Sequence, residues 1–165
     1  MIEVIRSQPT CYLATADYAS SFWGRYIWIY QARGSLTLTP GSLRFEGDRA
    51  ALDIPLRDVT AIGTSRFASA AKPFGLLRLD VRYLDGEDER AIHLVPCEST
   101  LDATWQTSEV VASWFGTLAG LDALAGKKKL PVAPVPTRPS RTTPNPALAA
   151  ALLVPLFIFL LLMLR

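Results

Sequence analysis

Residues Leu76–Val95 read LLRLDVRYLDGEDERAIHLV, and the alternation within them decides the fold class. Leu77, Leu79, Val81 and Tyr83 fall on one side of an extended chain, with Arg78, Asp80 and Arg82 on the other. Successive side chains of a strand point to opposite faces, so a period of two marks one buried and one wet face. Asp85-Gly86 then offers a tight turn, and RAIHLV returns with Ile92 and Leu94 inward. The same period recurs upstream. SLTLT sets Leu36 and Leu38 against Thr37 and Thr39, Pro40-Gly41 turns, and SLRFEG sets Leu43 and Phe45 against Arg44 and Glu46. ALDIPL follows with Leu52, Ile54 and Leu56, and RYIWIYQ, before them all, reads as a further strand.

The period changes after residue 104. In TWQTSEVVASWFGTLAGL, Val111, Trp114, Phe115, Leu118 and Leu121 recur at helical spacing and form one apolar stripe. Thr104 or Thr107 is placed to cap this helix and Gly120 or Gly126 to end it. The expectation for residues 1–125 is a mainly β domain, a bent antiparallel sheet or partial barrel capped by a C-terminal α-helix.

That order of elements resembles the pleckstrin-homology-like superfamily, in particular its GRAM and bacterial PH branches. The residues carrying the likeness are GSLTLTPGSLRFEG followed by LDIPLRDVTAIG, then LRLDVRYLDGEDERAIHLV, then the closing helix with Trp114, over about residues 25–121. The resemblance implies a seven-stranded bent sheet capped by a helix, and a non-catalytic role in binding phosphoinositides, other lipids or proteins. Phosphoinositide-binding members cluster lysine and arginine in the loop between their first two strands; here that hairpin offers Arg25 and Arg33.

Charge is distributed unevenly. Residues 1–125 hold all 15 carboxylates and 11 of the 17 bases, so the domain is net negative and unsuited to nucleic acid. Residues 126–146, GKKKLPVAPVPTRPSRTTPNP, hold five bases, no acid and six prolines. They read as an extended basic linker without regular helix or sheet, whose Lys127, Lys128 and Lys129 are candidate headgroup contacts. From Ala147 to Leu164 run 18 consecutive apolar residues. As a helix they extend about 27 Å at ~1.5 Å per residue, near the ~30 Å hydrocarbon layer. The expectation is a separate single transmembrane helix, 147–164, mildly kinked at Pro155. With five bases before it and only Arg165 after it, the N-terminal domain belongs on the cytoplasmic side of a single-pass, tail-anchored protein. No signal peptide is expected from MIEVIRSQPTCYLATADY.

Catalytic constellations are not evident, and the reading is of a protein that is not an enzyme. His93 is the one histidine and sits mid-strand; there is no G-x-S-x-G, H-E-x-x-H or P-loop. Cys11 and Cys97, without CxxC spacing, read as free buried thiols. The acidic run Asp85–Glu89 lacks the EF-hand layout and reads as a solvated turn, so neither metal nor cofactor is expected, and no small-molecule substrate. TSRFASAAKPFG, residues 64–75, breaks the alternation. Its Arg66, Phe67, Lys72 and Phe74 form either a loop that touches headgroups or a partner, or two rings folded back over the sheet. Function is thus expected to be that of a membrane-anchored adaptor recognising a lipid headgroup or a protein. The alternative is a structural subunit of a membrane complex assembled through its tail.

Overall fold

A computed structural model describes residues 3–22, 30–67, 76–99 and 104–135. They build one eight-stranded sheet. In chain order the elements are β1 (Arg6–Thr15), α1 (Ala16–Ser20), β2 (Ala32–Leu38), β3 (Ser42–Gly47), β4 (Ala51–Pro55), a 3-10 turn (Leu56–Asp58) and β5 (Val59–Arg66). β6 (Leu77–Asp85), β7 (Asp88–Cys97), α2 (Thr104–Ala119), a second 3-10 turn (Asp122–Leu124) and β8 (Lys128–Val132) complete them. The strands lie in the order β4-β3-β2-β1-β7-β6-β5-β8. Every pairing is antiparallel except β5 with β8.

The alternation in Leu76–Val95 emerges as expected. Leu77, Leu79, Val81 and Tyr83 are buried, as are Ile92 and Leu94 opposite them. Gly86 takes φ +67° at the first of the two turn residues, where a primed hairpin turn needs glycine. Leu36, Leu38, Leu43, Phe45 and Ile54 extend the same apolar layer across β2, β3 and β4. Helix α2 packs over β5, β6 and β7 and drives Val111, Trp114 and Leu118 into the core, each at most 1% exposed. Phe115 and Leu121, at the border of the stripe, are only half-buried. The helix ends at Ala119, one residue before Gly120; Thr107 is buried within it rather than at its cap.

The strand over Arg6–Thr15 was not legible from its alternation, and it is one of the two central strands. It pairs with β2 on one side and β7 on the other. Its register slips between Gln8 and Cys11, where two residues, Pro9 and Thr10, oppose the single Ser35. Proline cannot donate to a ladder, and a bulge is where a strand accommodates one. Beyond the last β1–β7 pair, Thr10↔Cys97, the Gln8 side chain continues the join: its Nε2 donates to the Cys97 carbonyl at 2.7 Å. Trp114 Nε1 donates to Gln8 Oε1 at 3.3 Å, and the Arg6 guanidinium lies 4.7 Å over the Trp114 ring while donating to Ser113 and Thr117.

Two sets of expectations need correction. The sheet has eight strands, not seven, because Lys128–Val132, assigned to an irregular proline linker, pairs parallel to β5. Its Pro131 falls where the ladder already slips, between Ile62↔Lys129 and Thr64↔Val132. Secondly, no helix among the described residues is long and apolar enough to cross a membrane. The longest, α2, has 16 residues with Gln106, Thr107, Ser108 and Glu109 in its first half. The separate transmembrane helix is therefore not part of the observed fold. The single-pass, tail-anchored placement with a cytoplasmic domain, and assembly through such a tail, are not retained. Residues 147–164, with Ala147, Pro155 and Leu164, lie outside the described residues, as does most of the strand expected over RYIWIYQ.

Replacing Gln8 by alanine would remove two buried hydrogen bonds, one to the Cys97 carbonyl and one from the Trp114 N–H. Each such loss costs on the order of 1–3 kcal/mol. Urea denaturation followed by circular dichroism is expected to show a loss of at least about 2 kcal/mol with an unchanged m value.

Candidate ligand-binding cleft

At the end of the sheet where β2 begins and β3 ends, a cleft of about 320 Å³ is lined by Tyr18, Tyr30, Gln31, Arg33, Asp48 and Arg49, among others. Three local structures build it. Thr15 caps α1 by accepting from the Tyr18 N–H at 3.2 Å, which turns the chain out of β1 and sets Tyr18 at the rim. The Tyr30 ring stacks on Tyr12 of β1, centroids 4.3 Å apart, fixing the opposite wall. Next to it, the β2–β3 ladder ends at Gly34↔Gly47. A Cβ on Gly34 would run into the Glu46 carbonyl and the Gly47 Cα, so only glycine permits this close approach.

One more pair extends that ladder. Asp48 N–H donates to the Arg33 carbonyl at 2.9 Å, and Arg33 N–H donates to Asp48 Oδ1 at 2.9 Å. One oxygen of the Asp48 carboxylate is thereby engaged by backbone. Neither the Arg33 nor the Arg49 guanidinium has an ion pair among the described residues. Five other arginines do, in Arg44–Asp53, Arg57–Asp58, Arg78–Asp80, Arg82–Glu89 and Arg90–Asp85. Both Arg33 and Arg49 are exposed. Tyr12, behind the wall, has its phenol pushed up from 10.0 chiefly by burial, with Arg33 pulling the other way. The cleft thus presents two guanidiniums, two phenols and an amide beside the single Asp48 carboxylate; the bases outnumber the acid, and the donors suit an anionic oxygen cluster such as phosphate or carboxylate.

Of the candidates read from the sequence, only Arg33 falls in this cleft. Arg25, Lys72 and Phe74 lie outside the described residues. Arg66 ends β5, exposed, and donates to the Pro134 carbonyl at 2.7 Å. Phe67 is folded back, 8% exposed, with the Arg78 guanidinium 5.1 Å from its ring centre, rather than standing out as a wedge. β1, β7 and β6 separate β2 from β5, so Arg33 and Arg66 do not converge. Lys127 Nζ donates to the Arg57 carbonyl at 3.0 Å, and Lys128 and Lys129 belong to β8. Tyr18, Asp48 and Arg49 were not foreseen; the usable signal was the Gly47-Asp48-Arg49 turn, which places a base beside the β2 edge.

A second cleft, about 360 Å³, lies where β1 starts beside α2 and includes Arg6, Glu98, Trp105 and Glu109. Its one base is already committed to Ser113, Thr117 and Trp114, and two carboxylates face any anion there. His93 stands across from Asp80 on the adjacent strand, Nδ1 to Oδ1 2.7 Å, and Arg78 shares the same carboxylate oxygen at 3.2 Å. The acidic tip is braced by its own bases, Arg90 on Asp85 at 2.9 Å and Arg82 on Glu89 at 3.9 Å. No cluster of three metal-ligating side chains occurs among the described residues.

No family model matches the chain, and neither a curated protein nor a solved structure matches it.

Cys11 and Cys97 are both free and buried. Burial, reinforced by Cys97, pushes the Cys11 thiol well above its ordinary 9.0, against a lowering hydrogen bond with the Val95 backbone. It stays neutral and inert near pH 8. Iodoacetamide is expected to label Cys11 at least about a hundredfold more slowly in the folded chain than in urea, read by mass spectrometry.

Proposed function

We propose that this chain is a non-catalytic binding module of the pleckstrin-homology-like kind. It recognises an anionic group, carried by a lipid headgroup or a protein partner, in the cleft between Arg33 and Arg49. The observation that carries the reading is electrostatic. In a domain whose other described arginines are paired with carboxylates or hydrogen-bonded to protein oxygens, these two line one cleft without an ion pair among the described residues, and one oxygen of the carboxylate beside them, Asp48, is engaged by the Arg33 N–H. The four-strand meander β4-β3-β2-β1, continued by β7-β6-β5 with α2 across the second half, supports the resemblance in topology.

Magnitudes set the kind of affinity. A charge-assisted hydrogen bond contributes roughly 1.5–3 kcal/mol, so two arginines supply on the order of 4 kcal/mol. That corresponds to about millimolar binding of an isolated anion. Useful recognition therefore requires a ligand that presents several anionic groups or engages the tyrosine walls as well.

The test uses the full chain against vesicles containing anionic lipid and, separately, against a soluble phosphorylated peptide. Binding to at least one is expected, weakening as salt rises. The double variant Arg33→Glu, Arg49→Glu is expected to lose about tenfold or more, whereas Arg90→Glu at the far hairpin is not. Equal binding by the double variant and the unaltered chain to both probes would sink the assignment. The two probes distinguish a lipid source from a protein source.

A further inference from the structure

Strand β8 is poorly anchored for a member of an eight-stranded sheet. Of its five residues only Leu130 is half-buried; Lys128, Lys129, Pro131 and Val132 are exposed. Its parallel ladder with β5 is interrupted: two residues, Leu130 and Pro131, oppose the single Gly63. Pro131 brings no N–H. Gly63 forms a notch shaped to this visitor. The three nearest atoms that a Cβ there would meet all belong to Leu130 and Pro131, with the Pro131 carbonyl oxygen at 3.0 Å. Polar clasps hold the two ends. Lys127 Nζ donates to the Arg57 carbonyl at 3.0 Å, Ala133 N–H to Thr64 at 3.0 Å, and Arg66 to the Pro134 carbonyl at 2.7 Å. The segment leaves the domain at Gly126, whose φ of +81° makes a ready swivel.

These features are those of a bound peptide rather than of a core strand. We infer that the edge of β5 is a strand-addition site, held closed in cis by Lys127–Pro134 and opened to an extended segment of a partner protein. The chemistry of that segment follows from the resident one. It runs parallel to β5, starts with a base against the Arg57 carbonyl, and places an aliphatic side chain three residues later in the Gly63 notch. It carries an N–H where the resident has Pro131, which supplies a donor that the resident lacks. A second copy of this chain is not the occupant. Its identical segment competes against a resident at an effective concentration of about millimolar, with nothing to outweigh it. A proline-free partner segment has that surplus. The site is independent of the arginine cleft, with three strands between β5 and β2.

The probe is a fluorescent peptide with the sequence of Lys127–Pro134 in which Pro131 is replaced by alanine, titrated into the full chain by anisotropy. Leu130→Asp in the chain loosens the resident strand and is expected to tighten peptide binding by about tenfold or more. Adding Gly63→Val to that variant fills the notch and is expected to abolish binding. Equally weak binding to the Leu130→Asp and unaltered chains overturns the proposal. So does binding that survives Gly63→Val, or a concentration-dependent dimer of the unaltered chain that Leu130→Asp dissolves. Hydrogen exchange on the unaltered chain decides the matter if Leu130→Asp fails to fold. Amides of residues 128–133 are expected to exchange at least about tenfold faster than those of β6 and β7; equal protection would make β8 an integral strand and overturn the site.

Discussion

A single ladder, from Thr10↔Cys97 to Thr15↔Ile92, holds the described fold together. On one side of it hangs the meander β1–β4, on the other the group β7-β6-β5-β8 with helix α2 laid across β5, β6 and β7. Strand β1 must therefore be satisfied along both edges, and it is buried along the way: Cys11 and Leu13 are at most 1% exposed. Where the ladder stops, Gln8 takes over. Its amide links the Cys97 carbonyl to the Trp114 indole, so sheet and helix are tied through one buried side chain. A buried amide is favourable only while both ends are paired. The Arg6 guanidinium lies over the same indole, which is fully buried. The arginine cleft inherits this rigidity, because β1 sets the position of Tyr12, on which Tyr30 stacks, and of Thr15, which caps α1.

How much of this was legible depended on whether a strand had one wet face. β2, β3, β6 and the middle of β7, Ala91–Leu94, show alternation because one side meets the apolar core and the other is more open, and their turns carry Pro40-Gly41 and Asp85-Gly86. β5 was hidden for the opposite reason. Its VTAIGTSR has a buried run from Ala61 to Thr64, since β6 and β8 flank it and Gly63 lies under Leu130. Such a strand has no period to find. β1 was hidden by Pro9, which argues against a central strand unless a bulge is invoked. β8 was hidden by Pro131 and by the composition around it.

The candidate site was legible in part for an electrostatic reason. Arg33 could be named because it lies beside a hairpin, but a sequence does not say which arginines will find a carboxylate. Arg44 and Arg49 are five residues apart and look equivalent. Asp53 lies across the β3–β4 ladder from Arg44, 2.7 Å from its guanidinium, whereas Asp48 spends its oxygen on the Arg33 backbone. That difference in register leaves Arg49 available and Arg44 committed. Arg66 was singled out with equal justification, yet one of its N–H groups is engaged by the Pro134 carbonyl. Availability is a property of the pairing, not of the residue.

The same logic changes the meaning of the basic, proline-rich segment. Its first lysines read from composition as contacts for headgroups, and from the structure as part of the sheet's outer edge. A sheet of eight strands has two edges that invite unwanted pairing, and charge and proline are what blunt such edges. β4 ends in Pro55 and carries the Arg44–Asp53 ion pair. β8 presents Lys128, Lys129 and Pro131. The two edges differ in how they are closed. β4 is bound to β3 by an uninterrupted ladder from Ser42↔Pro55 to Glu46↔Ala51, while β8 is bound to β5 across a bulge. An edge protected by a permanent strand is a boundary; an edge protected by an interrupted one is a boundary that can be exchanged. The distinction sets the two surfaces proposed for recognition at separate points of one sheet, the arginine cleft beside β1 and β2 and the interrupted edge at β5. Occupation of either leaves the ladder that joins them untouched.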